Sequence, residues 1–251
     1  MIYPIFYFSR LSAFFISAFC VFLMFFLQII GVIFAAKIHL DTEKEIINLI
    51  EIGSKNGIVV ACSIIFTAIF LSSFAFLIIF IKSNYHINKT LAYFDIKKFC
   101  LKSFFVYLLY LIIFLIISEG LLFYFDSKPL TLMDGLMDGA SFLPMILTTT
   151  IIAPIYEELI FRGMIFGVYS NHEINQQSFL GLDSSHWTGV IISSLLFAFV
   201  HALQYDLLST VIIFFLAILF CHARIKHGIL LSMVLHIINN TLAMTMYLLG
   251  Y

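Results

Sequence analysis

The segment Ala153-Pro154-Ile155-Tyr156-Glu157-Glu158-Leu159-Ile160-Phe161-Arg162-Gly163 sets three ionisable side chains inside an otherwise apolar run. In a helix Glu158 and Arg162 stand i, i+4 and meet on one face. Glu157 is rotated by about 100° from Glu158 and falls i+5 from Arg162, so it is left without that partner. The spacing divides the two carboxylates: one is stapled into an ion pair and the other is available as a general base. Two further segments carry groups that complement a base. Phe197-Ala-Phe-Val-His201 puts an imidazole one turn after an aromatic ring on the same face, and His236-Ile-Ile-Asn239-Asn240 puts an imidazole and an amide together at i, i+4. Imidazoles transfer protons, and imidazole and amide N–H groups stabilise a developing oxyanion.

Each group also has a plainer role. An intrahelical ion pair that staples helices together explains Glu158 and Arg162 but leaves Glu157 unpaired. A histidine near a helix end is commonly a packed or interfacial residue. A His/Asn pair on a membrane helix is ordinary interhelical hydrogen-bond glue.

The elements that must position these residues are membrane spans. Of 251 residues 63% are hydrophobic and 11% charged, with a mean hydropathy of +1.10, against roughly 25% charged in an ordinary soluble domain. The apolar runs reach the length of about 20 residues that crosses a hydrocarbon core. Hydropathy predicts an all-α polytopic bundle of seven spans, near 11–36, 57–81, 104–125, 141–169, 187–204, 206–222 and 228–249. The first run is too long for the h-region of a cleaved signal and reads as a retained helix. Ile38 to Gly53 alternates apolar residues with Asp41, Glu43, Lys44, Glu45 and Glu51 and is predicted as an amphipathic helix on the membrane surface. A net charge of −1 and a pI near 6.7 provide no basic face, so nucleic acid is excluded as a partner. Cys20, Cys62, Cys100 and Cys221 are scattered and show neither metal nor disulfide spacing. No internal repeat is visible, which argues against a small transporter.

Three ionisable groups in one span cost about 2.5–3.5 kcal/mol each at mid-bilayer, so the arrangement is not accidental. Pro154 removes a backbone donor and is expected to free the carbonyl of Thr150, with Thr148, Thr149 and Thr150 re-satisfying exposed groups or lining a polar cavity. Orientation follows from Lys and Arg outside the spans. Arg10, Lys82, Lys89, Lys97, Lys98, Lys102, Arg224 and Lys226 fall on one side, and Lys37, Lys44, Lys55 and Lys128 on the other. That places the N-terminus inside and the C-terminus outside. At about 1.5 Å per residue from the inner ends, Glu157 lies about 18 Å deep, His201 about 21 Å, His236 about 12 Å and Asn240 about 18 Å, in one layer. Glu119, in the outer part of the third span, reads as interfacial.

Taken together and in this order on successive spans, Ala-Pro-x-x-Glu157-Glu158-x-x-Phe-Arg162-Gly, Phe197-x-x-x-His201 and His236-x-x-x-Asn240 resemble the CPBP family of intramembrane proteases, also called the CAAX protease and bacteriocin-processing or Abi family. The resemblance covers about residues 131–251; residues 1–130 resemble nothing in particular and read as a variable N-terminal transmembrane region. It implies a four-helix core around a conical cavity, in which Glu157 and His201 activate a water and His236 and Asn240 stabilise the oxyanion, with Glu158, Arg162 and Phe197 in support. It implies a peptidase acting on a membrane-embedded or lipidated peptide or protein, with the lipid bilayer as its other partner, in a bacterial cytoplasmic membrane. Two histidines and a glutamate are also a zinc set, Glu157, His201 and His236. The chain lacks His-Glu-x-x-His and Asn is a poor zinc ligand, so a metal-free glutamate mechanism is favoured, with no cofactor. The competing function class is a non-proteolytic immunity or scaffolding protein that keeps the polar cluster for helix packing.

Overall fold

The computed structural model describes residues 8–40, 45–127, 135–170, 178–179 and 182–250. Among them nine helices form: α1 (Arg10–His39), α2 (Ile46–Gly53), α3 (Gly57–Lys82), α4 (Ile87–Tyr93), α5 (Leu101–Tyr124), α6 (Gly139–Ser170), α7 (Ser184–His201), α8 (Leu207–His227) and α9 (Ile229–Leu248). Two strands of two residues each, β1 (Ser178–Phe179) and β2 (Leu182–Asp183), pair antiparallel ahead of α7. Six of the helices, α1, α3, α5, α6, α8 and α9, are long and apolar enough to cross a membrane, and α7 is shorter, apolar over His186–His201. The outward faces carry exposed rings such as Phe14, Phe15, Phe22 and Phe34, which a bilayer solvates and water does not. The chain is an integral membrane protein.

Local chemistry sets the boundaries. Asn56 accepts from the N–H groups of Ile58 and Val59 and so starts α3. Asp206 accepts from the Ser209 N–H at 2.7 Å and starts α8. That cap forces the chain out of helix beforehand, so α7 ends at His201, three residues earlier than hydropathy suggests. Gly228 separates α8 from α9 with φ +91, where a Cβ would also lie 2.8 Å from the carbonyl oxygen of Asp95. The predicted surface helix over 38–53 is divided: Ile38 and His39 finish α1, α2 begins only at Ile46, and residues 41–44, with Asp41, Glu43 and Lys44, lie outside the described residues. Lys128 and Tyr251 lie outside them as well.

Contacts between connecting segments show that these six helices and α7 run alternately up and down. At one end the Ile229 N–H donates to the carbonyl of Asp95 at 3.1 Å and Arg224 reaches the carbonyl of Tyr93, so α4 and its flanks sit beneath the α8–α9 turn. At the other, the Ser127 hydroxyl bonds the Asp206 carboxylate, and Gly57 packs against Leu136. Glu119 is exposed one to two turns from that end of α5. α1 packs along α3, α3 along α6, and α6, α7, α8 and α9 pack on one another, with α5 against α8 and α9.

Candidate active site

The site begins with the backbone of α6, which is not a uniform helix. Thr148–Ile152 and Leu159–Ile165 are π-helical, and Ala153–Glu158 between them is α-helical. Such widened turns concentrate at functional sites. The Thr148, Thr149 and Thr150 hydroxyls donate back to the carbonyls of Pro144, Met145 and Ile146 at 2.8, 2.7 and 2.6 Å, so their polar atoms are satisfied within the helix. In this register the Ala153 N–H donates to the Thr148 carbonyl. Pro154 follows and has no N–H for the carbonyl of Thr149. Asn240 of α9 supplies the missing donor, its Nδ2 lying 2.9 Å from that oxygen. The carbonyl engaged in this way is thus one residue earlier than the α-helical expectation of Thr150, because the i to i+5 register shifts the orphan by one.

Glu158 and Arg162 are fully buried, with Nη1 2.9 Å from Oε1. The same Oε1 accepts from His236 Nδ1 at 2.9 Å, and Oε2 accepts from the Ser232 hydroxyl. The Arg162 guanidinium lies 4.2 Å over the Phe197 ring and 5.5 Å from that of Phe220, and its Nη2 is 3.4 Å from the carbonyl of Ala217. Charge pairing, hydrogen bonds and ring faces together offset the large cost of desolvating both ions. Glu157 occupies the neighbouring position, buried at 7% exposure, with Oε2 3.8 Å from His236 Nε2. That separation is beyond a direct hydrogen bond.

His201, half-buried at the end of α7, has Nδ1 2.8 Å from the carbonyl of Phe197. A carbonyl only accepts, so Nδ1 carries the proton and Nε2 is the nitrogen left for other work. Phe197 is the hub: its ring centroid lies 4.5 Å from His201, 5.7 Å from His236 and 5.2 Å from Phe161. Tyr205, just past α7, has its ring 6.3 Å from that of His201. Arg162, His201 and His236 thus gather around one ring, and Glu158 and Glu157 join them through His236. Asn240 lies one turn along α9 from His236, tied to Thr149 and accepting from Asn239 at 3.1 Å.

Ser232 was not among the residues singled out from the sequence. Its signal is the i, i+4, i+8 series Ser232, His236, Asn240, a single stripe of α9 that faces α6 along its length. Two clefts of about 630 and 540 Å³ open elsewhere, beside Ser127 and Asp206 and between α5 and α8, and hold none of these residues. Among the described residues no group of three or more His, Cys, Asp or Glu side chains is placed to hold one metal ion.

Residues 139–242 match the family described as type II CAAX prenyl endopeptidase Rce1-like. Over this stretch the chain is similar to the CPBP/CAAX protease family. The matched stretch opens with α6, takes in α7 and α8, and ends just past Asn240, so it contains every residue of the cluster and leaves α1 to α5 outside. An uncharacterized 24.3 kDa protein of Escherichia coli is 32% identical over 100 residues, 39% of this chain. The chain spans only 42% of that relative's length. No solved structure matches.

Proposed function

We propose that this protein is an intramembrane endopeptidase that hydrolyses a peptide bond in a membrane-embedded or lipidated peptide or protein. The observation that carries the reading is the inequality of the two adjacent glutamates. Glu158 is compensated by Arg162, His236 and Ser232, while Glu157 is buried beside them facing a histidine nitrogen. Burying a carboxylate without a cation is costly and serves no packing purpose. In this reading Glu157 takes a proton from a water as the water oxygen attacks the scissile carbonyl, and the Nε2 of His201 helps hold that water. Asn240 has a second amide hydrogen beyond the one given to Thr149, and donates it with His236 to the tetrahedral oxyanion. No step is routed through a metal.

The second reading, a scaffolding or immunity protein, is favoured by one feature: Asn240 and His236 already spend donors on the carbonyl of Thr149 and on Glu158, as helix glue does. Expressing Glu157→Gln in place of the native chain decides between them. An uncut peptide or membrane protein accumulates if the enzyme reading holds, and turnover of that substrate by the native protein survives exhaustive chelation. No accumulating species, with the variant present at native levels, supports the scaffold.

We further propose a bacterial cytoplasmic membrane with the N-terminus inside, on the strength of the lysines at 82–102. Under this orientation His201 and the turn after it lie toward the outer face. A cysteine placed at Lys97 is then protected from an impermeant maleimide in intact cells; labelling from outside reverses the topology.

A further inference from the structure

Ser232, His236 and Asn240 form one stripe on α9, and each reaches a different level of α6. Asn240 meets the carbonyl of Thr149, His236 meets Glu158 and faces Glu157, and Ser232 meets the far oxygen of Glu158. A carboxylate held by Arg162 only accepts hydrogen bonds, so the nitrogen 2.9 Å from Glu158 must carry a proton. That nitrogen is Nδ1, and the atom then turned to Glu157 is Nε2. The ring cannot readily turn over, because it is stacked on Phe220 at 5.0 Å and meets Phe197 edge-on at 5.7 Å. Turning it would also leave a buried oxygen of Glu158 short of a donor.

We propose that Ser232 and Glu158 are positioning residues that hold His236 in the Nδ1–H tautomer, so that its Nε2 is the atom that exchanges a proton with Glu157. The inference about the tautomer stands on geometry alone; the proton exchange rests on the protease reading. The exchange completes the hydrolysis. The proton removed from water passes from Glu157 to Nε2, the resulting imidazolium donates Nε2–H to the oxyanion, and the same proton leaves on the amine as the C–N bond breaks. Glu157 returns to the carboxylate and His236 to the neutral ring, so nothing is left over. The positive charge that His236 carries in between is met by the Glu158 carboxylate through Nδ1–H. Ser232 matters because without its hydroxyl the second oxygen of Glu158 is unsatisfied. The carboxylate is then free to turn bidentate onto Arg162 and release the histidine.

The test is ¹⁵N NMR of the full-length protein, histidine-labelled and held in nanodiscs, with the His236 signals assigned by their loss in His236→Gln. The native protein should show His236 protonated at Nδ1 and bare at Nε2. Ser232→Ala should bring in the Nε2–H tautomer, and Ser232→Thr, which keeps the hydroxyl, should restore the native pattern. Against a cleavable substrate Ser232→Ala should lower kcat by about tenfold with KM unchanged, and Ser232→Thr should recover it. A native His236 protonated at Nε2, or a Ser232→Ala spectrum identical to the native one, overturns the proposal. Should Ser232→Ala fail to accumulate, Ser232→Cys, near in volume and a weaker donor, is read by the same criteria. A correct tautomer together with full turnover by Glu157→Gln overturns the proton exchange and the role of Glu157 as base, and leaves the positioning in place; a correct tautomer with no substrate cut by the native protein overturns the protease reading alone.

Discussion

Two buried polar clusters tie helices together in this bundle, and they are built differently. Between α1 and α3, Gln28 Nε2 donates to Ser63 Oγ at 2.9 Å, Gln28 Oε1 accepts from Thr67 Oγ1 at 3.2 Å, and the Ser63 hydroxyl donates to the carbonyl of Val60. Gly31 lets the two helices come close, since a Cβ there would sit 2.9 Å from the Cα of Ser63. Every member is neutral and the bonds close on themselves. Between α6 and α9 the cluster is charged, and three donors converge on Glu158 while Glu157 is left facing Nε2 of His236. A closed neutral cluster does only what its bonds do, which is to hold helices. An open charged one keeps Glu157 buried with the Tyr156 hydroxyl as a neutral partner and a histidine nitrogen at 3.8 Å, a setting in which a proton can move.

Substitutions can break this contrast from either side. The largest loss of stability is expected from Arg162→Leu, which strands the Glu158 carboxylate in a dry interior at a cost of about 3–5 kcal/mol. It should show as a steep fall in melting temperature in detergent and poor accumulation in the membrane. Glu157→Gln should do the opposite, leaving melting close to native while turnover drops by about 10²-fold or more. Native turnover in that variant would remove Glu157 as the base and erase the contrast between the two clusters. Gln28→Leu removes the bridge of the neutral cluster and should cost about 1 kcal/mol, with cleavage unchanged. A loss of turnover there would mean that the N-terminal helices shape the site.

The smallest effect is expected outside the membrane, at the cap of α8. The hydroxyl of Ser127 and the Ser209 N–H hold the carboxyl of Asp206 below the usual carboxylate range. A depressed value stabilises the fold above the unfolded-state pKa, and the contribution is lost as pH falls through the folded one. Asp206→Ala should therefore lower stability by about 1 kcal/mol or less at neutral pH, and the gap to native should narrow in acid. Melting curves at two pH values check this.

The i, i+4 relation of Glu158 and Arg162 is readable from spacing because helix geometry fixes neighbours within one segment, and the pair is present at 2.9 Å. The positions of the spans follow from apolar run length, and their ends agree within a few residues where Asn56 or Gly228 punctuates the chain. The third partner of Glu158 was not readable. His236 lies 78 positions away, and nothing in either segment says that the two helices face each other at that register. Ser232 escaped notice for the same reason, since a serine on a membrane helix is common and only its opposite number gives it meaning. The shift from Thr150 to Thr149 depended on the π turns, where α6 packs against α3, α7 and α9.

By itself, then, the order of residues determined that the chain lives in a membrane, that it crosses as helices, and that one of two adjacent carboxylates would lack an ion-pair partner on its own helix. Composition and a 3.6-residue period suffice for that, because both act over a single turn or a single span. Only the tertiary structure decided that Glu158 also holds His236, that Ser232 completes that grip, and that Asn240 mends the backbone beside Pro154. Those contacts join α6 to α9 across the bundle. Their register is set by how the side chains of whole helices interlock, a property that belongs to no segment alone.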